Sequence, residues 1–466
     1  VKPRPKTRGR ALIAGVLVVA VVFIVGGTAM AYRDGALNPL ICGGECPAEY
    51  VDPPAPIGLM PNPQLPRAPA PAESDIDADA AAAAVKSALK DDDLGKRVGF
   101  AAAGASGDPV SSGPDTLTPA STTKILTAFV ALDVMDHDHR FSTSVVTRTR
   151  SAPDELVLVG GGDPFLDTKS PKKPQYGHVA TLAELAERTA ADLKDRGIKK
   201  VSLGWDDSLF SGPARNPAWP DGYIATGVVA PVSALIADHA ETSGIARASD
   251  PAAAAAKSFA AQLERRGITV SKKTGDNDPS GEQIAAVHSA TVQQIVTSML
   301  VHSDNDAAEV LLRHVAIAQD KKATFGGGTR AVGEVLSSHN VDTAGLKLYD
   351  GSGLSRDNRI SPVMLVDVLQ RARAGDDTAA LLTSLPIAAF NGTLRDRFGD
   401  DNAARGLAHA KSGTLTGVTT LAGTVLDANG SVIYFAVMAD DLKVGHDPAK
   451  KAEDAVIAAL ASCRCS

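Results

Sequence analysis

"PASTTKILTAF", Pro119 to Phe129, sets a serine three residues ahead of a lysine just where a polar loop gives way to an apolar run. Ser-x-x-Lys is a short pattern, and it occurs three times in the chain, beginning at Ser87, Ser121 and Ser170. Context separates them. Ser170 lies in "DTKSPKKPQ", where proline breaks any helix that could hold serine and lysine on one face. Ser87 is read on a helix whose lysine runs into three aspartates, the mark of a solvated end. Ser121 follows Pro119 and opens a helix that is apolar on nearly every side (Ile125, Leu126, Phe129, Val130, Leu132), so that helix is expected to be buried. Positions i and i+3 share a helix face, which brings Lys124 within reach of the Ser121 hydroxyl. The helix N-terminus favours negative charge developing on that oxygen. A serine hydroxyl becomes a good nucleophile only when a neighbouring base takes its proton, and a lysine can do so if its pKa is lowered.

A second ammonium nearby is expected to supply that lowering. Two Lys-(Ser/Thr)-Gly triplets could carry it. Lys273-Thr274-Gly275 sits in "SKKTGDNDPSGE", read as a charged surface turn with no strand after it, whereas Lys411-Ser412-Gly413 leads into β-rich sequence. A small Ser-Gly pair on a sheet edge lets a substrate backbone lie alongside. Of two Ser-x-Asn triplets, Ser338-His339-Asn340 and Ser303-Asp304-Asn305, only the second stands between two helical runs, as a catalytic loop should.

Working outward, 466 residues with 44% hydrophobic content suffice for two or three domains with real cores. A net charge of −7 without a dense basic stripe argues against a nucleic-acid partner. Five basic residues (Lys2, Arg4, Lys6, Arg8, Arg10) precede a run uncharged to Arg33, long enough for the ~20 apolar residues a membrane helix needs. The basic flank predicts a cytoplasmic N-terminus and an extracytoplasmic remainder, with signal cleavage near Ala31 as the alternative. Cysteine is confined to Cys42, Cys46, Cys463 and Cys465. Disulfides are expected in an exported chain, a bridge from linker to C-terminus being the more useful pairing and local pairs remaining open. The spacings suit zinc poorly. The histidines show no tight cluster, and no metal or cofactor is inferred.

Ten of the 28 prolines fall between Pro39 and Pro71, predicting an extended spacer. The expected organisation is a basic segment and anchor (1–33), a Pro-rich linker (34–73), a first part of the catalytic domain (74–144), inserted material (145–288) and a second catalytic part (289–466). Ser74 is read as the cap of the alanine-rich helix in "DIDADAAAAAVKSALK", and "RVGFAAAGASGDPV" as two strands about a turn. The insert carries two similar helix-Gly-strand units, "LKDRGIKKVSL" and "LERRGITV". β-rich sequence returns in "GLAHAKSGTLTGVTTLAGTVLDANGSVIYFAVMADD" before a final helix. Strands at both ends of the folded region predict one sheet assembled from both. Asp163 in "GGGDP" and the run "FGGGTR" (Phe325 to Arg330) are read as turns.

"STTK", "SDN" and "KSG", in that order and each in a fitting context, resemble the motif set of penicillin-binding proteins and class A β-lactamases. The chain is similar more closely to the D-alanyl-D-alanine carboxypeptidase/endopeptidase family of penicillin-binding proteins, the low-molecular-mass class C branch with a large insert between the first two motifs. The further matching stretches are "LVLVGGGDPFL" (156–166), "DDSLFSGP" (206–213), "AWPDGY" (218–223), "SDNDAAEVLLR" (303–313) and "DGSGLSRDN" (350–358). The resemblance implies an α/β penicillin-binding/β-lactamase-like transpeptidase domain, an antiparallel sheet with helices on both sides, interrupted by an inserted α+β region. It implies a serine D-Ala-D-Ala peptidase acting on peptidoglycan stem peptides and acylated by β-lactams. In that mechanism Ser121 is the nucleophile, Lys124 the base, and Ser303 relays a proton. Asn305 would hold Lys124 and the substrate amide, and Lys411 would add positive charge. Ser412, Gly413 and Thr414 would receive the terminal carboxylate, the amides of Ser121 and Thr414 would hold the oxyanion, and Arg356 would stand near the side-chain pocket. The family usually has threonine where Ser412 stands. A β-lactamase-like hydrolase and a catalytically inactive cell-wall scaffold of the same fold are the alternatives; no Glu-x-x-Leu-Asn is present to supply a deacylating glutamate.

Overall fold

The strand Arg97–Ala103 (β1) is buried on both faces, and its side chains part with period two. Phe100 and Ala102 enter one hydrophobic core, Ala101 and Ala103 another. Val432–Asp440 (β10) does the same, sending Ile433, Phe435 and Val437 to the first core and Tyr434, Ala436 and Met438 to the second. Such near-continuous apolar strands require cover on both sides. In this computed structural model, which describes residues 75–170, 179–275 and 280–466, helices supply that cover.

The first sheet is antiparallel, in the order β2-β1-β10-β9-β8, with β2 at Val110–Ser112, β8 at His409–Leu415 and β9 at Val418–Leu426. β1 pairs with β10 across most of the chain, so the sheet joins early and late sequence as expected. One face is covered by Ala78–Val85 (α1) and the C-terminal His446–Ser462 (α10). The other packs on a bundle comprising Thr123–Val134 (α2), Val292–His302 (α5), Asn305–Ala318 (α6), Phe325–Ser338 (α7), Pro362–Ala374 (α8) and the short Ala380–Thr383 (α9). Every residue from Thr123 to Leu132 in α2 is buried, as its all-round apolar sequence requires.

The second sheet is mixed, in the order β6-β5-β4-β3-β7. It comprises Arg140–Thr149 (β3), Ala152–Val159 (β4), Lys200–Asp206 (β5), Thr269–Gly275 (β6) and Gln283–Thr291 (β7), packed on Leu182–Asp195 (α3) and Pro251–Glu264 (α4). The repeated helix-Gly-strand units are α3 to β5 and α4 to β6. Gly197 (φ +74°) and Gly267 (φ +84°) follow the two helices in the left-handed conformation that ends a helix at little steric cost.

Several local expectations fail for identifiable reasons. Helix α1 is capped by Asp77, whose carboxylate accepts from Asp79 and Ala80 amides, and it ends at Val85, leaving Ser87 and Lys90 exposed outside it. Lys273-Thr274-Gly275 belongs to strand β6, where pairing with β5 overrides the turn-like composition. "FGGGTR" is the first turn of α7, capped by Thr324. Its glycines serve helix packing: a Cβ on Gly328 would lie 2.5 Å from Leu312 in α6. Cys463 is bonded to Cys465, so these two do not reach the linker. Cys42, Cys46, the apolar N-terminal run, the proline spacer and Ser74 lie outside the described residues. Among the described residues no helix is long and apolar enough to cross a membrane.

Candidate active site

Ser121 lies in a 3-10 turn (Ala120–Thr122) that runs directly into α2, and it is only partly buried. Ala120 before it has φ +46°, a left-handed conformation rare for a residue with a Cβ and found chiefly where surrounding structure imposes it. Here the neighbours are the loop residue Gly353 and strand β8. A Cβ on Gly353 would stand 1.8 Å from the Ala120 carbonyl oxygen, and one on Gly413 would stand 2.8 Å from the Ser121 amide nitrogen. Thr420 on β9 donates to the Pro119 carbonyl at 2.8 Å. The turn is thus clamped between a loop and an edge strand that both need glycine to approach it.

Lys124 is fully buried, with its ammonium 3.0 Å from Ser121 Oγ, 2.8 Å from Asn305 Oδ1 and 2.8 Å from the Ser352 carbonyl oxygen. Burial lowers its pKa to about 8, opposed by the carboxylates of Glu309, Asp304, Asp350 and Asp306. The expected source of the lowering is therefore corrected: desolvation lowers the Lys124 pKa. The ammonium–ammonium repulsion is felt by Lys411, held well below its ordinary value first by burial and then by Lys124 and Arg397. Lys411 is fully buried in β8 and donates to the Ser412 carbonyl at 2.6 Å.

The other expected residues divide as follows. Asn305 opens α6, and its amide also donates to the Val228 carbonyl at 2.9 Å, so both ends of the amide are engaged. Ser303 caps α5 in the left-handed conformation (φ +58°) at the hinge between α5 and α6. On β8, Lys411 and Gly413 are buried while Ser412 and Thr414 are partly exposed. Ser412 Oγ donates to Thr393 Oγ1 at 2.9 Å. Arg356 reaches the far end of this strand, donating to the Thr416 carbonyl at 2.8 Å. Of the rejected candidates, Ser87 and Ser170 are exposed, and His339 of the Ser338-His339-Asn340 triplet pairs with Asp133 at 2.8 Å.

Sequence reading missed the supports beneath this set. Glu309 is fully buried and accepts from the amides of Gly351 (3.2 Å) and Ser352 (2.8 Å), fixing the loop whose carbonyl holds Lys124. Burial and the nearby Asp350 push Glu309 up to about 8. Asp350 accepts from Gly353 N, Ser355 N, Asn358 Nδ2 and Trp219 Nε1, which ties "AWPDGY" to "DGSGLSRDN". A cluster able to present metal ligands, His239, Asp304 and Asp306, has its ligating atoms within 4.8 Å of one another.

The profile of the D-Ala-D-Ala carboxypeptidase 3 (S13) family matches residues 81–246 and 237–463. The chain belongs to this family. It is 35% identical over 390 residues to a carboxypeptidase of Mycobacterium tuberculosis, covering 81% of this chain and 82% of that one. Its fold matches penicillin binding protein 4 of Haemophilus influenzae with a TM-score of 0.68 at 22% identity, covering 82% of this chain and 99% of the other. The same protein complexed with a novel β-lactam matches with a TM-score of 0.62 at 21% identity, covering 80% of this chain and 97% of that one. The mixed α/β architecture of this S13 chain is thus that of the penicillin-binding fold.

Proposed function

We propose that this S13 D-Ala-D-Ala carboxypeptidase works through an acyl-enzyme on Ser121, with peptidoglycan stem peptides as substrates and β-lactams as covalent inhibitors. The observation that carries the reading is the environment of Lys124 Nζ. A neutral lysine amine has two N–H donors and one lone pair. The Asn305 and Ser352 oxygens take the two donors, leaving the lone pair for the Ser121 hydroxyl proton. With a pKa of about 8, an appreciable fraction of Lys124 is free amine near neutral pH.

Ser121 Oγ attacks the carbonyl of the penultimate D-alanine as its proton passes to Lys124. The Ser121 and Thr414 amides stabilise the oxyanion, a type of contact whose loss typically costs ~10² to 10³ in rate. The proton taken by Lys124 passes by way of Ser303, at the α5–α6 hinge, to the leaving D-alanine nitrogen as the peptide C–N bond breaks, and water then hydrolyses the ester, restoring the Ser121 hydroxyl. Lys411, whose charged form burial and Lys124 disfavour, takes up a proton from solvent as the terminal carboxylate approaches and so supplies positive charge to it, while Ser412, Gly413 and Thr414 receive that carboxylate along the β8 edge; Arg356 borders the stem-peptide side chain. The basic N-terminal flank and apolar run support a membrane anchor with the catalytic part extracytoplasmic, and the proline-rich linker a spacer between them.

The test is labelling with a fluorescent penicillin, wild type beside Ser121→Ala, with mass spectrometry of the labelled peptide and an assay of D-alanine release. Label on Ser121, lost in the variant together with D-alanine release, is expected. A folded wild type that takes no label and releases no D-alanine would return "PASTTKILTAF" to the role of a core helix.

A further inference from the structure

The outer edge of β8 is covered only over the first part of its length. Ala388 N donates to the Ala408 carbonyl and Ala410 N to the Pro386 carbonyl, both at 2.9 Å, and Ile387 bridges His409. Backbone groups alternate between the two edges of an antiparallel strand, so Ser412 and Thr414 face the same outward edge as Ala408 and Ala410. The covering segment leaves just there. It turns through Ala389 (φ +58°), Gly392 (φ +55°) and the 3-10 turn Gly392–Leu394. Ile387 N donating to Asn391 Oδ1 (2.7 Å) and Ala389 N donating to the Leu394 carbonyl (3.0 Å) hold the turn closed. Among the described residues no strand pairs with the outer edge at Ser412 or Thr414.

The turn is set between the second and third motifs. A Cβ on Gly392 would lie 2.4 Å from the carbonyl oxygen of Val301, two residues before Ser303. On the other side Thr393 Oγ1 accepts from Ser412 Oγ at 2.9 Å. Thr393 is exposed and Ser412 partly so. A hydroxyl has one proton to give. Ser412 gives its proton to Thr393, and the Thr393 proton has no acceptor among the described residues. Hydrogen bonds in a chain polarise one another, which makes a hydroxyl that is already accepting a stronger donor. The edge also has a direction. Arg356, the candidate for the stem-peptide side chain, is bonded at Thr416, and the covering turn stands at Ser412. A peptide backbone laid along the open stretch therefore comes to its end against Thr393.

We propose that Thr393 is a specificity-determining residue: it closes the open stretch of the β8 edge beside Ser412 and donates its hydroxyl proton to the terminal carboxylate of the stem peptide. The proposal rests on the reading of this edge as the carboxylate site. The test compares, in the full chain, wild type with Thr393→Val, which keeps the shape and removes the hydroxyl, and with Thr393→Ser, which restores it. It follows the second-order rate of acylation by a penicillin and by the methyl ester of the same penicillin, in which the carboxylate is masked. Thr393→Val is expected to slow acylation by the free acid about ten- to thirtyfold, the scale of one hydrogen bond to a charged group, and by the ester less than about twofold. Thr393→Ser should recover most of the loss. Equal losses on acid and ester would make Thr393 a support of the turn alone and overturn the proposal, as would a valine variant that matches wild type. Peptide binding separates this outcome from the fate of the nucleophile. Ser121→Ala, titrated by NMR with a peptide ending in D-Ala-D-Ala, should bind it, and adding Thr393→Val should weaken that binding about tenfold. A wild type that is never acylated removes Ser121 as nucleophile, while that weakening still upholds Thr393. Binding to Ser121→Ala that is absent, or indifferent to Thr393, overturns the proposal.

Discussion

The chain writes nearly the same three residues twice, Lys273-Thr274-Gly275 and Lys411-Ser412-Gly413, and both fall in the outermost strand of a five-stranded sheet. The first lies in β6, paired in parallel with β5; the second lies in β8, paired antiparallel with β9. What separates them is what borders the strand. Beside β8 stands the Pro119–Ser121 turn, close enough that Gly413 has no room for a Cβ, and Lys124 there helps to hold the buried Lys411 below its ordinary pKa. A strand edge and a lysine become a candidate carboxylate site through that neighbour, and the triplet alone does not make one.

The largest expected effect tests this directly. Lys411→Ala should reduce penicillin acylation of Ser121 by about 10² to 10³-fold, the scale of losing one preorganised electrostatic contact. Lys273→Ala should leave it within about twofold, as a substitution outside the site. Stopped-flow acylation of both variants checks the pair, and comparable losses would erase the distinction. Next in size, Gly413→Ala places a methyl 2.8 Å from the Ser121 amide and 2.2 Å from Thr420 Oγ1, so the turn must shift. A displacement near 1 Å at a reacting group can cost about 10²-fold, and a loss of about ten- to a hundredfold is expected, together with a lowered melting temperature from the overpacking. The smallest effect is a displacement on the pH axis. Glu309 is first among the groups that favour the proton on Lys124, but it carries its charge only above about 8, so Glu309→Gln should release that proton slightly more readily and only toward the alkaline end of the limb. The acid limb of the acylation profile should move to lower pH by less than about one unit. A limb moving upward would show that the Glu309 charge does not reach Lys124.

Ser121, Lys124, Asn305 and Lys411 were legible because each combines a short motif with a local signal: an all-apolar helix, a helix junction, a β-rich run. The joining of early and late strands in one sheet was legible too, since β1 and β10 stand in β-rich runs at the two ends of the folded region. The supporting shell was not. Ser352 and Val228 act through backbone carbonyls, which carry no residue signature, and Trp219 meets Asp350 across 131 positions. Glu309 was within reach of inspection, because it stands four residues after Asn305 and so on the same face of α6. "FGGGTR" misled because three glycines suggest a turn until the close crossing of α6 and α7 is known. The pairing of Cys463 with Cys465 was open for a related reason, since spacing alone cannot order four cysteines.

The pairing of β1 with β10 also bears on timing. Arg97 meets Asp440 in that ladder, and β8 and β9, which border the serine turn, emerge from synthesis more than two hundred residues after Ser121. Contacts this distant in sequence form late. A nascent chain that already carries Ser121 and Lys124 has no strand edge to clamp them and no Lys411 beside them. The strand edge beside the Ser121 turn is therefore absent until the last strands arrive, and the candidate site is assembled only when the early and late parts of the sheet have paired.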